Sequence, residues 1–286
     1  MTAPETMGET LSEVAAALSG AGFDGARRRA RQVLAAALDL SPAEVFARPD
    51  RVITEEEGAR VDAVLRRALA SEPLSRIRGK REFWGLELAL SLDTLDPRPD
   101  SETVVEAVIA RLPDGARPYR FLDLGTGSGC LLLALLAEFP QASGVGVDRA
   151  FGAARTARQN AARLGFARRA RFAVGDWAQA IGGRFDAIVA NPPYIASGAI
   201  APLPPAVRDF DPALALDGGE DGLAAYRSIA PDLRRLLAPG GLFACEIGAG
   251  QEAAVGEIVG NHGLTLEAAV PDLAGIPRCL VARAAD

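Results

Sequence analysis

Histidine is almost absent from this chain of 286 residues, which contains only one, His262. His262 lies in an Asn-His-Gly sequence, which is typical of a surface turn. Its place in a surface turn argues against a serine–histidine–aspartate triad, and a single histidine cannot form a metal site built from histidines. Chemistry in this protein must therefore come from other side chains.

Cysteine is also scarce. The three cysteines, Cys130, Cys245 and Cys279, are odd in number, far apart in the sequence and surrounded by apolar residues. This pattern indicates buried, reduced thiols and argues against a disulfide framework. Their spacing provides no zinc site, and we expect no bound metal.

Long hydrophobic runs are missing as well. No apolar run is long enough to span a bilayer, and residues 1–9 lack the basic and then apolar pattern of a signal peptide. A hydrophobic content of 49% is ample for a packed core, and the length allows two domains. We therefore expect a soluble, cytoplasmic, monomeric protein with no membrane partner.

Positive charge is in deficit, with a formal net charge of −6 and a sequence pI near 5.1. This balance disfavours a protein that wraps a phosphate backbone, and we expect no direct binding of nucleic acid. One short basic run, Arg76, Arg78, Lys80 and Arg81, is a candidate local patch. A solvated charged turn is favoured over a binding patch by roughly two to one for such a run.

Residues 1–72 form an alanine-rich segment that predicts helices only. Apolar residues recur at three- and four-residue spacing over Glu9–Leu18, Ala26–Leu38 and Thr54–Ala70. Thr54 is followed by three glutamates, and the third of them, Glu57, completes a capping-box pattern. We expect a small N-terminal helical domain here.

Residues 73–100 predict a hairpin and a linker. Weakly alternating residues on both sides of Gly85 suggest a short β-hairpin over Glu82–Trp84 and Leu86–Leu90. A stiff loop with an arginine between two prolines, Pro97-Arg98-Pro99, then leads through Glu102 into a helix. Arg98 is more ordered than a linker requires, so a role in substrate binding and a purely structural role are about evenly matched.

Residues 101–286 alternate between strand and helix patterns, which predicts an α/β domain with a mostly parallel, doubly wound sheet. The predicted strands are Phe121–Leu124, Gly144–Val147, Arg171–Val174, Phe185–Ala190, Gly241–Ile247, Thr265–Val270 and Arg278–Ala282. The predicted helices between them are Cys130–Glu138, Phe151–Leu164, Leu223–Leu237 and Gln251–Val259. Ligands of such sheets bind beyond the carboxyl ends of the strands.

The first of these strands runs into a glycine-rich loop that begins after Asp123 and contains Gly125, Thr126, Gly127 and Gly129. Glycines at the start of a helix allow the backbone to approach a ligand closely. The spacing is G-x-G-x-G, because the position at which a dinucleotide-binding motif would have its last glycine is a cysteine. No phosphate-binding lysine follows, so a ligand without phosphates is favoured.

The next two strands also end in residues suited to a nucleoside. Asp148 ends the second strand, where a carboxylate can accept both hydroxyls of a ribose. Asp176 and Trp177 end the third, where an amine acceptor and an aromatic face could hold an adenine. The glycine-rich loop and each of these acidic strand ends have an ordinary structural explanation when taken singly. For all of them together we give a purely structural explanation a probability of roughly one in ten, because they fall at strand ends in the right order.

The fourth strand ends in Asn191, Pro192, Pro193 and Tyr194. Two successive prolines hold the backbone rigid and keep the carbonyls around them out of a ladder. Asn191 Oδ1 and the Pro192 carbonyl can accept the two N–H groups of a planar amide or amine, while Tyr194 can pack on its plane. Acceptors aimed at a nitrogen that becomes positive in the transition state would stabilise it without a strong base.

Together these strand ends resemble the class I S-adenosylmethionine-dependent methyltransferases, and the tetrapeptide resembles the N/D-P-P-Y/F/W motif of those that modify a nitrogen conjugated to a carbonyl or an aromatic ring. From about Ala30 to Ala282 the chain is similar to one family of them, the peptide-chain release factor glutamine methyltransferases (PrmC/HemK). The resemblance covers both domains, and its segments are the N-terminal helices, Gly79–Gly85, Pro97–Glu102, Asp123–Gly129, Asn191–Tyr194, Asp209–Leu216, Gly218–Leu223 and Asp272–Gly275.

The resemblance implies a Rossmann-like seven-stranded sheet, S-adenosylmethionine as the methyl donor, and the Gly-Gly-Gln glutamine of class 1 release factors as the acceptor in translation termination. It also implies that the N-terminal domain helps to dock this protein substrate. We expect Asn191, Pro192 and Tyr194 to be catalytic and Asn191–Tyr194 to bind the substrate, with Arg98 a further candidate for substrate binding. We expect Asn191 to contact the cofactor as well. The sequence departs from the family pattern at Asp96, where an apolar residue is expected, and at Ile276-Pro277 before Arg278.

Two alternatives remain. The tetrapeptide alone would serve equally well for an exocyclic amine of adenine or cytosine in nucleic acid, although the acidic charge and the lack of an obvious DNA-reading domain count against this. The second alternative is a non-catalytic adaptor that binds S-adenosylmethionine. The complete Asn-Pro-Pro-Tyr sequence counts against it, since a protein that only binds the cofactor needs no clamp for a nucleophile.

Overall fold

The computed structural model describes residues 5–112 and 114–285, which divide into two compact units. The helical unit comprises the chain up to Gly79 together with Pro205–Phe210, and the larger unit comprises Lys80–Pro204 and the chain from Asp211 onward. Residues 1–4 of the predicted helical domain and residues 113 and 286 of the predicted catalytic domain lie outside the described residues.

The division differs from the predicted boundaries in two ways. It falls at Gly79 instead of residue 72, because Leu74 and Ile77 continue to pack against the core of the helical unit. The hairpin is part of the larger unit and does not form a separate linker, since Phe83 and Leu88 are buried in that unit's core.

Eleven α-helices and nine strands are present in the part of the chain that the structure describes. The helices are α1 (Met7–Gly20), α2 (Ala26–Leu38), α3 (Pro42–Ala47), α4 (Glu55–Leu69), α5 (Leu74–Arg78), α6 (Glu102–Ile109), α7 (Cys130–Glu138), α8 (Phe151–Arg163), α9 (Pro205–Arg208), α10 (Ala224–Leu236) and α11 (Glu252–Gly260). The strands are β1 (Lys80–Phe83), β2 (Leu86–Ala89), β3 (Arg120–Leu124), β4 (Ser143–Asp148), β5 (Ala170–Val174), β6 (Phe185–Ala190), β7 (Leu237–Glu246), β8 (Leu264–Pro271) and β9 (Pro277–Ala284).

The helical unit is held by the apolar faces that the helical spacing predicts. Met7, Leu18, Val33 and Leu34 are fully buried in the core of this unit, and a capping box begins α1, α3 and α4. In the box at α4 the Thr54 hydroxyl accepts a hydrogen bond from the Glu57 backbone amide, as predicted. None of the helices in the described residues is long and apolar enough to cross a membrane.

The larger unit is built on a seven-stranded sheet with the order β5-β4-β3-β6-β7-β9-β8. Strands β5, β4, β3, β6 and β7 are parallel, whereas β9 pairs antiparallel with both β7 and β8. The predicted mostly parallel α/β sheet is therefore confirmed. The chain moves outward from β3 to β5 and returns to the other side of β3 at β6, so the strand order reverses between β3 and β6.

The central strands of this sheet carry an apolar core on each face, and adjacent residues of a strand point to opposite faces. Phe121 of β3 and Val189 of β6 belong to the apolar core on one face, and Leu122 and Ile188 belong to the core on the other. The predicted hairpin is also confirmed: β1 pairs antiparallel with β2, and a tight turn joins them at Trp84 and Gly85, both with positive φ. The layers leave the carboxyl ends of β3, β4, β5 and β6 at one edge.

Candidate active site

A cavity of about 320 Å³ lies at the carboxyl ends of β3, β4, β5 and β6. Its size is at the lower end of the range of cofactor sites, and its position at the reversal of strand order is where α/β sheets bind ligands. Most of the predicted site residues line it, namely Gly125, Thr126, Gly127, Asp148, Asp176, Trp177, Asn191 and Pro193. The predicted residues Asp123, Gly129, Pro192, Tyr194 and Arg98 are not among the lining residues.

The glycine-rich loop crosses the floor of the cavity with its backbone. The amides of Gly125 and Thr126 both donate to the Val147 carbonyl at 2.9 Å, which ties the loop to β4. Gly125 has a φ of 75°, and a Cβ there would come within 3.3 Å of the Trp177 ring. The loop therefore requires a residue without a side chain at this position, where the tryptophan ring lies against the backbone.

Gly129 has a packing role that the sequence did not predict. It is the N-cap of α7 with a φ of 86°, and a Cβ there would lie 3.2 Å from the Ala157 side chain and 3.3 Å from that of Leu133. It therefore allows α7 and α8 to pack closely beneath the cavity. Its predicted contact with the cofactor stays a prediction.

Asp123 is buried under the loop, with 1% of its surface exposed. Its Oδ2 accepts a hydrogen bond of 2.6 Å from the Thr126 hydroxyl, which holds the loop above it. Burial, helped by the nearby charge of Asp148 and opposed by hydrogen bonds from the Thr126 hydroxyl and the Leu132 backbone, raises the pKa of this carboxyl to about 7.

Asp148 lines the cavity at the end of β4. Its two carboxylate oxygens accept hydrogen bonds of 2.8 Å from the backbone amides of Gly127 and Ala150. Burial raises its pKa, while these two amides oppose the shift. A carboxylate offers about four lone-pair sites, so Asp148 retains acceptors for two hydroxyl groups of a ligand.

Asp176 and Trp177 follow β5. Trp177 is half-buried with a φ of 49°, an uncommon conformation for a residue other than glycine, and its ring contributes a flat wall to the cavity. Asp176 is exposed at the rim and accepts a hydrogen bond of 3.2 Å from the Gln179 side chain. A planar base against the ring would have a carboxylate beside it, as predicted for adenine.

The Asn-Pro-Pro-Tyr corner follows β6, with Asn191 lining the cavity and Pro192 buried. The Asn191 Nδ2 lies 3.0 Å from Ser101 Oγ, and Ser101 Oγ lies 2.5 Å from Glu246 Oε2. The Tyr194 hydroxyl donates to Glu246 Oε1 at 3.1 Å. A buried carboxylate thus joins the two ends of the corner.

Residues 216–218, called the return segment below, hold the backbone just after the corner. The Ile195 amide donates to the Leu216 carbonyl at 3.1 Å, and the Gly218 amide donates to the Ile195 carbonyl at 2.8 Å. A Cβ on Gly218 would lie 2.7 Å from the Pro193 carbonyl oxygen, so only glycine allows this approach. The segment therefore reinforces the rigidity that the two prolines impose.

Arg98 does not reach the cavity, because its guanidinium pairs with Asp211 at 2.5 Å. Asp96, the departure from the family pattern, is 1% exposed and lies near two arginines, with Arg98 at 4.0 Å and Arg81 at 3.7 Å. Two arginines thus offset the charge of an acidic residue at an otherwise apolar position. The predicted role of Arg98 in substrate binding stays a prediction.

Among the residues at or near the site that were not predicted, three bear on its electrostatics and hydrogen bonding: Asp93, Ser101 and Glu246. Asp93 lines the cavity, and its negative charge adds to the rise in the pKa of Asp148. Ser101 lies in the proline-stiffened loop but carried no distinguishing pattern. Glu246 did carry a signal, because it is an acidic residue within the apolar run of a central strand, and a buried charge in such a place needs a partner.

The chain is similar to known proteins over both units. A family model described as the PrmC N-terminal domain matches residues 9–79, and a methyltransferase domain model matches residues 117–261. The release factor glutamine methyltransferase of Rhodospirillum rubrum is 52% identical over 277 residues, which cover 97% of this chain and 85% of that protein. The protein of the same name from Agrobacterium fabrum is 44% identical over 93% of each chain.

Solved structures with this fold are more distant in sequence. The catalytic domain of hMettl16 has a TM-score of 0.57 and 17% identity, over 82% of this chain and 84% of that one. A methyltransferase from Pyrococcus furiosus has a TM-score of 0.53 and 16% identity, over 71% of this chain and 90% of that one. These likenesses show a methyltransferase fold, and the predicted Rossmann-like architecture is confirmed.

Proposed function

Because this chain belongs to the release factor glutamine methyltransferase family, we propose that it transfers a methyl group from S-adenosylmethionine to the Gly-Gly-Gln glutamine of peptide-chain release factors. The acceptor atom is the side-chain amide nitrogen. The similarity to release factor glutamine methyltransferases across nearly the whole chain carries the choice of substrate. The chemistry of the corner at Asn191 supports the choice of a planar nitrogen.

The lining residues of the cavity fit S-adenosylmethionine. Asp148 keeps acceptors for the ribose hydroxyls, Trp177 offers a flat wall for the adenine, and Asp176 lies beside that wall. The backbone of the Gly125–Gly127 loop forms a surface that side chains would obstruct. When bound, this cofactor supplies an electrophilic methyl group.

Asn191 and Pro192 bind and orient the glutamine amide. The nitrogen of an amide is a poor nucleophile because its lone pair is delocalised, so its two N–H groups must be held and its plane fixed. Asn191 Oδ1 accepts one N–H and the Pro192 carbonyl accepts the other. As the nitrogen becomes positive, both acceptors stabilise the charge, and the proton leaves the methylated product without a dedicated base.

Tyr194 completes the corner. Its hydroxyl is held by Glu246, which fixes the ring next to the acceptors. Burial raises the pKa of this hydroxyl, so it stays protonated at neutral pH and acts as a donor to Glu246, not as a base. We assign the ring the role of packing on the plane of the substrate amide.

The helical unit, residues 1–79 with Pro205–Phe210, is proposed to dock the release factor. The match of its sequence to the PrmC N-terminal domain model supports this role. We further propose that the enzyme works as a monomer in the cytoplasm, where translation terminates, and that it binds no nucleic acid directly.

A labelling assay tests the function. The purified protein, incubated with methyl-labelled S-adenosylmethionine, should label a release factor but not its Gly-Gly-Gln to Gly-Gly-Ala variant. Label in DNA or RNA and none in the release factor would support the nucleic-acid alternative instead. Cofactor binding without label in any acceptor would favour the adaptor.

A further inference from the structure

The proposed role of Asn191 demands one of two amide orientations. An asparagine amide has an acceptor oxygen on one side and a donor NH₂ group on the other, and the two ends have nearly the same shape. With Oδ1 toward the substrate, an N–H group of glutamine finds an acceptor. With the amide turned over, two sets of donors face each other and the substrate amide is repelled.

The hydrogen bonds of Asn191 select one orientation. Its Nδ2 lies 3.0 Å from Ser101 Oγ, and that oxygen lies 2.5 Å from Glu246 Oε2. An ionised carboxylate only accepts, so it takes the single hydrogen of the Ser101 hydroxyl. Ser101 Oγ is then able only to accept, and the end of Asn191 that faces it must be the donor.

A hydrogen-bond relay runs from the Glu246 carboxylate through the Ser101 hydroxyl to the Asn191 amide, and Glu246 is its fixed end. It is the last residue of β7, and 2% of its surface is exposed. Its other oxygen, Oε1, accepts the Tyr194 hydroxyl at 3.1 Å, and its backbone carbonyl accepts the Tyr226 hydroxyl at 2.9 Å. The carboxylate of Glu246 therefore contacts the Ser101 hydroxyl, which holds Asn191, and also the Tyr194 hydroxyl.

We propose that Glu246 is a positioning residue for methyl transfer: through Ser101 it orients the Asn191 amide with Oδ1 toward the substrate, and through the Tyr194 hydroxyl it fixes the ring. This inference rests on the proposed function, because it assumes that Asn191 receives the glutamine amide. Glu246 itself touches neither substrate nor cofactor in this scheme.

Glu246→Gln is the sharpest test, because the side chain keeps its shape and exchanges an acceptor for a donor. A glutamine NH₂ group facing Ser101 would free the serine hydrogen to donate to Asn191, which turns the amide over. We expect kcat to fall by roughly 10- to 100-fold, as for a misplaced reacting group, with cofactor affinity and the KM for release factor near wild type. Ser101→Ala, which removes the relay itself, should lower kcat in the same way.

Tyr226→Phe is the matched control. It removes a buried hydrogen bond to the same glutamate, but on the backbone carbonyl and outside the relay. It should lower the melting temperature while kcat stays at the wild-type value. Melting temperatures of all variants separate loss of folding from loss of orientation.

The outcomes distinguish this inference from the function on which it depends. If wild-type protein labels the release factor and both Glu246→Gln and Ser101→Ala retain kcat within about twofold, the relay does not position Asn191. Equal losses of kcat in Glu246→Gln and Tyr226→Phe would also overturn it, since they would indicate a structural role only. If wild-type protein fails to label the release factor at all, the proposed function is what has failed.

Discussion

Replacing Asn191 by alanine removes two interactions of different kinds. One is internal, the 3.0 Å hydrogen bond from Nδ2 to Ser101 Oγ. The other is the proposed hydrogen bond from the substrate amide to Oδ1, which strengthens only as the substrate nitrogen becomes positive. The substitution leaves the backbone at the end of β6 and the return segment after it unchanged.

The two losses differ in magnitude. The internal hydrogen bond contributes a net ~1 kcal/mol to the free energy of unfolding, so the variant should fold. Removal of one hydrogen-bonding group from a charge-stabilising site costs about 2.7–4 kcal/mol in the transition state, which is a 10²- to 10³-fold loss of kcat. We therefore expect kcat to fall at least ~100-fold while cofactor affinity stays close to wild type.

The assay is the rate of methyl transfer to release factor at saturating cofactor, with cofactor affinity measured separately by calorimetry. The same substitution at Asn261, an exposed residue at the end of α11, is a control that should retain full activity. If Asn191→Ala lost affinity for the cofactor but kept turnover at saturation, Asn191 would be a cofactor ligand and the proposed clamp would be wrong.

Four further predictions concern the site and its support. Asp148→Ala should weaken cofactor binding by about 1.5–3 kcal/mol in calorimetry, and an unchanged affinity would remove Asp148 from the cofactor site. Burial raises the pKa of Glu246, and only the ionised form can hold the Ser101 hydrogen, so kcat should fall as the pH drops through that raised pKa; Glu246→Gln should lack this acid limb. The pKa of Asp123 is about 7 in the folded state and lies near 3.8 in the unfolded state, so between these values the folded state binds one more proton. The free energy of unfolding should therefore fall by up to ~4 kcal/mol as the pH rises from 4 to 8. Denaturant titrations should find no such dependence in Asp123→Asn. Gly129→Ala should lower the free energy of unfolding by roughly 1–3 kcal/mol more than Gly165→Ala. Gly165 is the matched control, because its φ of 84° is similar but a Cβ there would lie in open space. Equal losses would show that packing against α8 is unimportant.

Local chemistry explains why much of the cavity was predictable. Strands β3, β4, β5 and β6 are apolar runs that each end in polar or glycine residues, and parallel strands bring their carboxyl ends to one edge. Gly125, Asp148, Trp177 and Asn191 therefore meet at one cavity, as their positions in the sequence predict. The capping box at Thr54 is equally local and is confirmed.

Contacts that depend on distant packing were not predicted. Gly129 and Asp123 belong to the predicted motif, and the structure adds contacts that the motif does not report: Gly129 allows α7 to approach α8, and Asp123 holds Thr126. Arg98 was a candidate for substrate binding, but its partner Asp211 is 113 positions away in the chain. No pattern within a short window reports such a pairing.

The sequence by itself determined the elements, the edge of the sheet at which the cavity lies, and the residue types proposed to hold a nucleoside and a planar nitrogen, because periodicity and strand ends are local properties. It also carried the family resemblance. Only the tertiary structure decided which way the Asn191 amide faces. That orientation depends on Ser101 and Glu246, 90 and 55 positions away along the chain, and a hydrogen-bond relay of this kind exists only once three separate segments have been packed together.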